Sequence, residues 1–427
     1  VSIDTMTLPD GTEVESLESF RTRARAYIQE HIPLATASVM RGQQTDEEEL
    51  ADVAHNRELQ RLLFEGGLAG IVVAKEYGGQ GLTPEHARVL NDEMAGRQYP
   101  DRFQVPTFTP CMAVLLEFAT EDQKQEHVPR ILRGEEIWMQ MLSEPSGGSD
   151  VAGAQTTAVR DGEEWVLNGS KIWTTGAWWA DWALCLVRTN PDVPKHRGLS
   201  VFMVPFKTPG VEMHRIEMLN GSKEFCQEFL TDVRIPDGYR IGDADDGWTV
   251  GTRWMFHERS FHSSPFTLRP GGSAAFDPVG RAGSLLELAK RVGRGDDPAA
   301  RELVGEAHAL ALASAHLSRR LPKAMATKKM TDQAASLGRL MGGIVGRRSS
   351  TISWQLSGAS AGAWTDEDEE LGARGIAFLT RQTGEIAGGT TEMARNVISE
   401  RVLGMPRERT LDRDVPFRDI PKGPPSR

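Results

Sequence analysis

Ser143-Glu144-Pro145-Ser146-Gly147-Gly148-Ser149-Asp150 is the stretch of this chain most suited to chemistry. Small residues at that density let backbone N–H groups close on an anion, forming a nest for a phosphate or pyrophosphate. The hydroxyls of Ser143 and Ser149 add adjustable hydrogen bonds. Taken alone, the stretch reads equally as a surface turn. Downstream lies Trp173-Thr174-Thr175-Gly176. On a regular strand Trp173 and Thr175 share a face, where one can stack on a planar ring and the other bond a ring nitrogen. The plainer reading is a core Trp beside an exposed Thr. Other clusters fail on spacing. His257 and His262 are five apart, whereas a helical zinc pair needs i and i+4, so no metal site is expected. Gly78-Gly79-Gln80-Gly81 lacks the full GxGxxG spacing of a dinucleotide fingerprint.

The elements that must position these residues fall into three regions. Amphipathic periodicity predicts helices at Ser19 to Glu30, Ala51 to Glu65, Pro84 to Ala95 and Thr120 to Leu132. From Ile137 to Trp248 the pattern changes to short β-branched and aromatic runs. Leu184 to Val187 and Leu199 to Val204 read as strands, Pro209-Gly210 and Pro236-Asp237-Gly238 as turns, and Asn168-Gly169 as the turn of a hairpin. Helical period returns at Thr249 to Phe261, Leu285 to Val292, Pro298 to Ser318, Asp332 to Gly358 and Thr391 to Leu403. Ser263 to Gly283 reads as a Gly/Pro-rich loop, and the tail after Met405 as extended chain. The expected architecture is mainly α with a central β domain: an N-terminal α-helical domain (1–136), a small antiparallel β sandwich or barrel (137–248), and a C-terminal four-helix-bundle domain with the tail (249–427).

Bulk properties narrow the class. The chain has 427 residues, 39% hydrophobic and 26% charged, with a net charge of −11. That balance argues against nucleic acid as a partner, because phosphate-backbone affinity comes from clustered Lys and Arg. Cys111, Cys185 and Cys226 are far apart and match no zinc or CxxC spacing, which suits a reducing compartment. No apolar run nears the ~20 residues of a membrane span, and the first residues lack a secretory pattern. The expected location is the cytoplasm.

At these two motifs the chain resembles the acyl-CoA dehydrogenase family, and the resemblance extends over nearly its full length. Glu76-Tyr77-Gly78-Gly79-Gln80-Gly81 is similar to a family loop, and Phe118 to Gln123 with Gly134-Glu135 to the entry into the middle domain. Ser143 to Asp150 and Trp173 to Thr175 match its flavin segments. Asp232-Val233-Arg234-Ile235-Pro236 with Gly247-Trp248 matches the exit from the β domain. Gly388-Gly389-Thr390-Thr391-Glu392 with Arg395-Asn396 matches the C-terminal signature. The resemblance implies an FAD cofactor contacted by Leu142, Ser143, Gly148, Ser149, Trp173, Thr174 and Thr175. It implies that Gln355, Gly358, Thr390 and Glu392 reach the cofactor, partly across a homodimer or homotetramer. Ser149, Phe256, Arg259 and Gly389 are implied as substrate contacts.

Two departures stand out. Many members carry the catalytic Glu immediately before the Gly-Thr of the C-terminal signature; here that position is Gly388. A subset places it on the first helix after the β domain, followed by Arg, and this chain reads Trp254-Met255-Phe256-His257-Glu258-Arg259 there. Glu258 is therefore the expected base. Its large apolar neighbours would raise its pKa towards the working pH; the competing reading is a surface pair with Arg259. Glu385 is a weaker candidate. The family's Arg-x-x-Phe-Gly contact to the FAD phosphates is missing, and only Arg269 or Arg281 could stand in for it. The resemblance implies an oxidoreductase of fatty acid or lipid metabolism that converts an acyl-CoA to the trans-2-enoyl-CoA and passes electrons to an electron-transfer flavoprotein. A non-catalytic subunit of a heteromeric dehydrogenase, or an oxidase or flavin monooxygenase on the same fold, are the alternatives.

Overall fold

A computed structural model of the chain describes residues 4–35, 44–261, 264–271, 278–363, 369–410 and 412–421. Contacts divide the chain into two compact units, one of residues 1–217, 223–275 and 410–427, the other of 218–222 and 276–409. No described helix is long and apolar enough to cross a membrane.

The first unit opens with a short hairpin, β1 (Thr5–Thr7) and β2 (Glu13–Glu15), followed by α1 (Leu17–His31), α2 (Asp46–Glu65) and α3 (Pro84–Glu93). α2 begins five residues before the expected Ala51. Thr45 and Glu48 form a reciprocal capping box, and four acidic residues occupy the first turn. Phe20, Ala24 and Ile28 of α1 recur at helical spacing and pack with Leu63, Leu90 and Met94. α4 (Asp101–Phe103) leads through Gln104–Met112, which leaves helical geometry at Val105 and Thr109, into α5 (Ala113–Phe118) and α6 (Glu121–Leu132). In the loop before α3, a Cβ on Gly79 would lie 2.2 Å from the carbonyl oxygen of Val73, so its glycine serves close packing.

Eight strands form one sheet: β3 (Trp138–Met141), β4 (Thr157–Asp161), β5 (Glu164–Thr175), β6 (Trp182–Arg188), β7 (Leu199–Pro205), β8 (Val211–Ile216), β9 (Phe225–Pro236) and β10 (Arg240–Ile241). The order is β10-β7-β6-β4-β5-β9-β8, with β3 paired to β6. It is mostly antiparallel, but β3 and β4 run parallel to β6. The long chain between β3 and β6 permits that parallel return.

One expectation fails in the sheet. Asn168-Gly169 does not turn a hairpin; β5 runs straight through it, and the reversal comes earlier, between Asp161 and Glu164, with Gly162 at φ 65°. Asn168 instead faces an irregularity in β9: its Oδ1 accepts from the N–H of Asp232 (2.9 Å), a residue at φ 50°. Thr156 explains the glycine, because a Cβ at Gly169 would come within 2.7 Å of the Thr156 backbone.

α7 (Gly247–Arg259) follows the sheet and buries Gly247, Val250, Gly251 and Trp254, the i, i+3, i+4, i+7 stripe of one face. Its first turn rests on β7, where a Cβ on Gly247 would lie 2.6 Å from the backbone of Ser200. Gly247→Ala is therefore expected to cost about 1–3 kcal/mol by forcing helix and strand apart. Thermal melting of the purified variant measures this; an unchanged melting temperature would show that the contact yields freely.

The tail differs from the extended chain expected of it. Phe417 is buried, its N–H donates to Val193 O (2.9 Å), and the Arg188 guanidinium lies 3.8 Å from its ring centroid. An aromatic ring over a buried cation pins the segment to the sheet.

The second unit is helical: Pro278–Arg291, Pro298–Ala326, Ala335–Ser357, Glu369–Thr380 and Thr391–Val397, with Leu288, Ala300, Ala307, Ile352 and Leu356 in its core. The loop expected over Ser263 to Gly283 ends sooner than its composition suggested, since helix begins at Pro278; residues 262–263 and 272–277 lie outside the described residues. Proline is well tolerated in a first helical turn, which offsets the local Gly/Pro signal.

Candidate active site

β3 delivers the Ser143 loop, and a buried ion pair fixes it. The Glu144 carboxylate accepts from Lys171 Nζ (2.9 Å), Gln155 N (2.6 Å) and Thr156 N (2.9 Å). Burial opposes the charge on Glu144, but the ammonium of Lys171 and the two backbone donors outweigh it and hold the carboxyl below the usual range. Lys171 also donates to Leu142 O (3.2 Å), and Ile172 N to Ser143 O (3.0 Å). The first turn of the loop closes between Glu144 and Gly147, leaving residues 145–150 exposed. Gly148 faces back onto the loop; a Cβ there would lie 3.3 Å from Ser143 Oγ. Lys195 Nζ bridges Asp150 (3.0 Å) and Asp412 of the docked tail (3.5 Å).

The same stitching brings the loop beside Trp173. Lys171 and Thr174 are both buried although three residues apart, which a regular strand cannot arrange with its period of two. The extra residue is Trp173, bulged between Ile172 and Thr174 at φ 67°. A bulky residue in that region carries strain of about 1–3 kcal/mol. The bulge turns the indole outward, leaving it 51% exposed with its ring 6.0 Å from that of Phe225. An exposed indole on a strained bulge is a suitable platform for a planar ring. Thr175 is half-buried on the following position. Thr174 is a correction: its hydroxyl points into the sheet and donates to Glu228 Oε2 (2.8 Å), so its side chain is spent internally and is not presented to a cofactor. The bulge, invisible to simple alternation, inverts the facing.

Glu258 lies one turn beyond Trp254 on the inward face of α7. Its Oε1 accepts from Gln140 Nε2 (3.3 Å), while Gln140 Oε1 accepts from Trp254 Nε1 (2.7 Å). Indole nitrogen donates only, so Trp254 fixes which end of the Gln140 amide faces Glu258. Gln140 belongs to β3, two residues before Leu142, so the carboxyl and the loop hang from one strand. The Cys111 thiol is pushed well up, mainly by burial and secondarily by the Glu258 charge. On the outer side of α7, Glu117 takes a bidentate bond from Arg253 (2.9 and 2.7 Å) and a bond from His257 Nε2 (2.8 Å), anchoring the helix to α5. Phe256 is half-buried with Arg253 4.6 Å from its ring, and Arg259 is exposed with its guanidinium 3.8 Å from Met255 Sδ. Gln140 and Glu117 escaped the sequence reading, as did the bond from Trp254 to Gln140; the one available signal was a lone amide within the apolar run Trp138-Met139-Gln140-Met141.

Most of the remaining expected residues belong to the second unit. Thr390 caps the helix Thr391–Val397, its side chain accepting from Met393 N (3.1 Å), and Glu392 pairs with Arg395 (3.2 Å). Gly388 and Gly389 take φ 69° and 93°, which favours glycine at both. Gln355 is exposed and Gly358 ends its helix at φ 61°. Glu385 is partly buried and paired with Arg347 (2.9 Å). In the first unit, Arg269 lies 5.8 Å from the Phe261 ring; the Arg281 side chain falls outside the described residues. Cys111, Cys185 and Cys226 are free and buried. Among the described residues, no group of three or more His, Cys, Asp or Glu could hold a metal ion.

Helices, then a mainly antiparallel sheet, then helices again in chain order, with an exposed glycine-containing loop beside an outward indole, are the features of the acyl-CoA dehydrogenase architecture. Residues 14–135 match the N-terminal domain of acyl-CoA dehydrogenases and residues 140–233 the middle domain. The acyl-CoA dehydrogenase IpdE1 of Mycolicibacterium smegmatis is 30% identical over 403 residues, 92% of this chain and 98% of that protein. Among solved structures, the Tcur3481-Tcur3483 steroid ACAD superposes with a TM-score of 0.71 at 27% identity, covering 92% of this chain and 98% of that one. The ChsE4-ChsE5 complex from Mycobacterium tuberculosis shares the fold, with a TM-score of 0.68 at 24% identity over 94% of this chain and 99% of that one. The chain belongs to the acyl-CoA dehydrogenase family, and it is an oxidoreductase of that kind.

Proposed function

We propose that the chain is an FAD-dependent dehydrogenase that converts an acyl-CoA to its trans-2-enoyl-CoA, with Glu258 as the base. One observation carries the reading. Glu258 is bonded to Gln140 of β3, the Ser143 loop continues that strand, and the loop is bonded in turn to Lys171 and Ile172, the residues just before Trp173. The residues fit the cofactor. The exposed indole of Trp173 offers a stacking face, the loop from Ser143 to Ser149 presents backbone to a pyrophosphate, and Thr175 follows the indole with a hydroxyl. FAD, when bound, supplies the hydride acceptor. Glu258 removes the proton α to the thioester carbonyl, and Gln140 keeps its carboxyl oriented towards that task. Ser149, Phe256, Arg259 and Gly389 are assigned to substrate, and Gln355, Gly358, Thr390 and Glu392 to the cofactor, on the family pattern.

The substrate class follows from relatives. A structure named as a steroid ACAD, at 27% identity, supports a CoA thioester whose acyl group carries a fused-ring skeleton. An electron-transfer flavoprotein as acceptor and a cytoplasmic location complete the reading. A homodimer or homotetramer is the simplest assembly, but one observation favours a heteromer: the similar Tcur structure carries two chain names joined.

Anaerobic titration of the flavin-loaded protein with straight-chain, branched and steroid-derived acyl-CoAs tests the reading. Bleaching of the oxidised flavin band by ring-bearing thioesters is expected. No bleaching with any thioester, from protein that retains FAD, would remove the chain from catalysis and favour the partner-subunit role.

A further inference from the structure

Glu228 on β9 is fully buried, and the chemistry above does not use it. It sits directly opposite Lys171 of β5 and Met213 of β8. Its Oε2 accepts the Thr174 hydroxyl (2.8 Å), while Oε1 has no hydrogen-bond partner among the described residues. A carboxyl left half-satisfied inside a sheet is costly, so its retention calls for a function. Its place in the fold supplies one. The bond from Thr174 to Glu228 crosses the strand pair where β5 carries its extra residue, and that residue is Trp173. A Trp at φ 67° persists only where the surroundings over-determine it. Ile172 is tied to Ser143 O before the bulge (3.0 Å) and Gly176 to Glu224 O after it (2.7 Å). Thr174, adjoining the indole, is held by Glu228.

We propose that Glu228 is a positioning residue for the ring-binding surface: through Thr174 it locks the bulge that turns Trp173 outward. The proposal rests on the flavin reading of Trp173 and names a residue that reading does not require.

The electrostatics give it a signature. Burial pushes the Glu228 carboxyl up to about 8; the Thr174 bond and the Lys171 charge oppose the rise without cancelling it. The facing titratable groups are Lys171 on β5, itself paired with Glu144, Cys185 on β6 and Cys226 on β9. Burial pushes Cys185 up to about 12 and Cys226 up to about 11, so neither thiol ionises in the same range. A charge appearing near pH 8 under the bulge therefore belongs to Glu228. The folded chain holds this proton more tightly than the unfolded chain, whose carboxyl titrates near 4.5. Stability contributed by the proton is present at low pH and declines as pH rises from about 4.5 to about 8.

Wild type, Glu228→Gln and Glu228→Leu are compared, each with and without Trp173→Phe, so that difference spectra isolate the Trp173 emission in apoprotein. The wild-type Trp173 signal is expected to show a step near pH 8 that Glu228→Gln lacks. FAD affinity, read by quenching of flavin fluorescence at neutral pH, should stay within about threefold in Glu228→Gln and fall roughly tenfold in Glu228→Leu. If Glu228→Leu does not fold, the comparison of wild type with Glu228→Gln decides. Absence of the step, or unchanged FAD affinity in a folded Glu228→Leu, overturns the proposal. If no form binds FAD, the flavin reading fails, and the Trp173 step alone decides the positioning claim.

Discussion

Glu258→Gln should retain FAD and bind acyl-CoA, yet reduce the flavin roughly 10²–10⁴-fold more slowly, the range expected when a positioned general base is removed. The substitution is close to isosteric, and its amide oxygen can still accept from Gln140 Nε2, so the network from Trp254 through Gln140 survives. What disappears is the capacity to take a proton. Loss at the chemical step with little change in KM is the pattern of a group that acts in the transition state. Stopped-flow reduction under anaerobic conditions separates that step from reoxidation. An unaltered reduction rate would take Glu258 out of the mechanism and direct attention to Glu385, whose partner is Arg347.

This expectation depends on how α7 is placed, and the placement was partly legible. Gly247, Val250, Gly251 and Trp254 spell out the buried stripe, and Glu258 follows at the next turn. The start of α6 was equally readable, because Thr120 caps it, whereas α2 begins at Asp46 behind its Thr45 cap, five residues before the expected start at Ala51. Partners contributed by distant elements could not be read. Glu144 and Lys171 are 27 positions apart and meet only because β3 and β5 lie in one sheet. The bulge at Trp173 escaped because period-two alternation presumes a regular strand, and the assignment of Thr174 to the cofactor came from the family resemblance, which says nothing of where its hydroxyl points. Asn168-Gly169 misled for a related reason. Residues that favour positive φ suit a hairpin turn, and they also suit a strand opposite a distorted partner. Family motifs identified the loop and the indole; the hydrogen bonds that stitch them together have no sequence signature.

Lys171→Met should be the most destabilising change at this site. Lys171 is fully buried and the Glu144 side chain is 5% exposed, so removing the ammonium leaves a carboxylate in the sheet with only the N–H groups of Gln155 and Thr156. Breaking a buried pair by deleting one partner costs about 3–5 kcal/mol, on the order of 10 °C in melting temperature for a unit of this size. Methionine matches the lysine stem closely, so the loss measures charge and not packing. The pH dependence gives the mechanism away. In wild type the Glu144 carboxyl lies below its ordinary 4.5, so its contribution is complete above that value and is lost as pH falls beneath it. Without Lys171, burial is no longer outweighed and the carboxyl moves upward. The variant should therefore lose its excess instability on mild acidification, as Glu144 takes up a proton. Flavin retention should fail alongside stability, because Lys171 also holds Leu142 O at the start of the loop proposed to hold the pyrophosphate. Melting curves from pH 5 to 8, recorded with flavin content by absorbance, read both effects. A variant that melts like wild type and keeps its FAD would show that the loop is held by its backbone bonds alone.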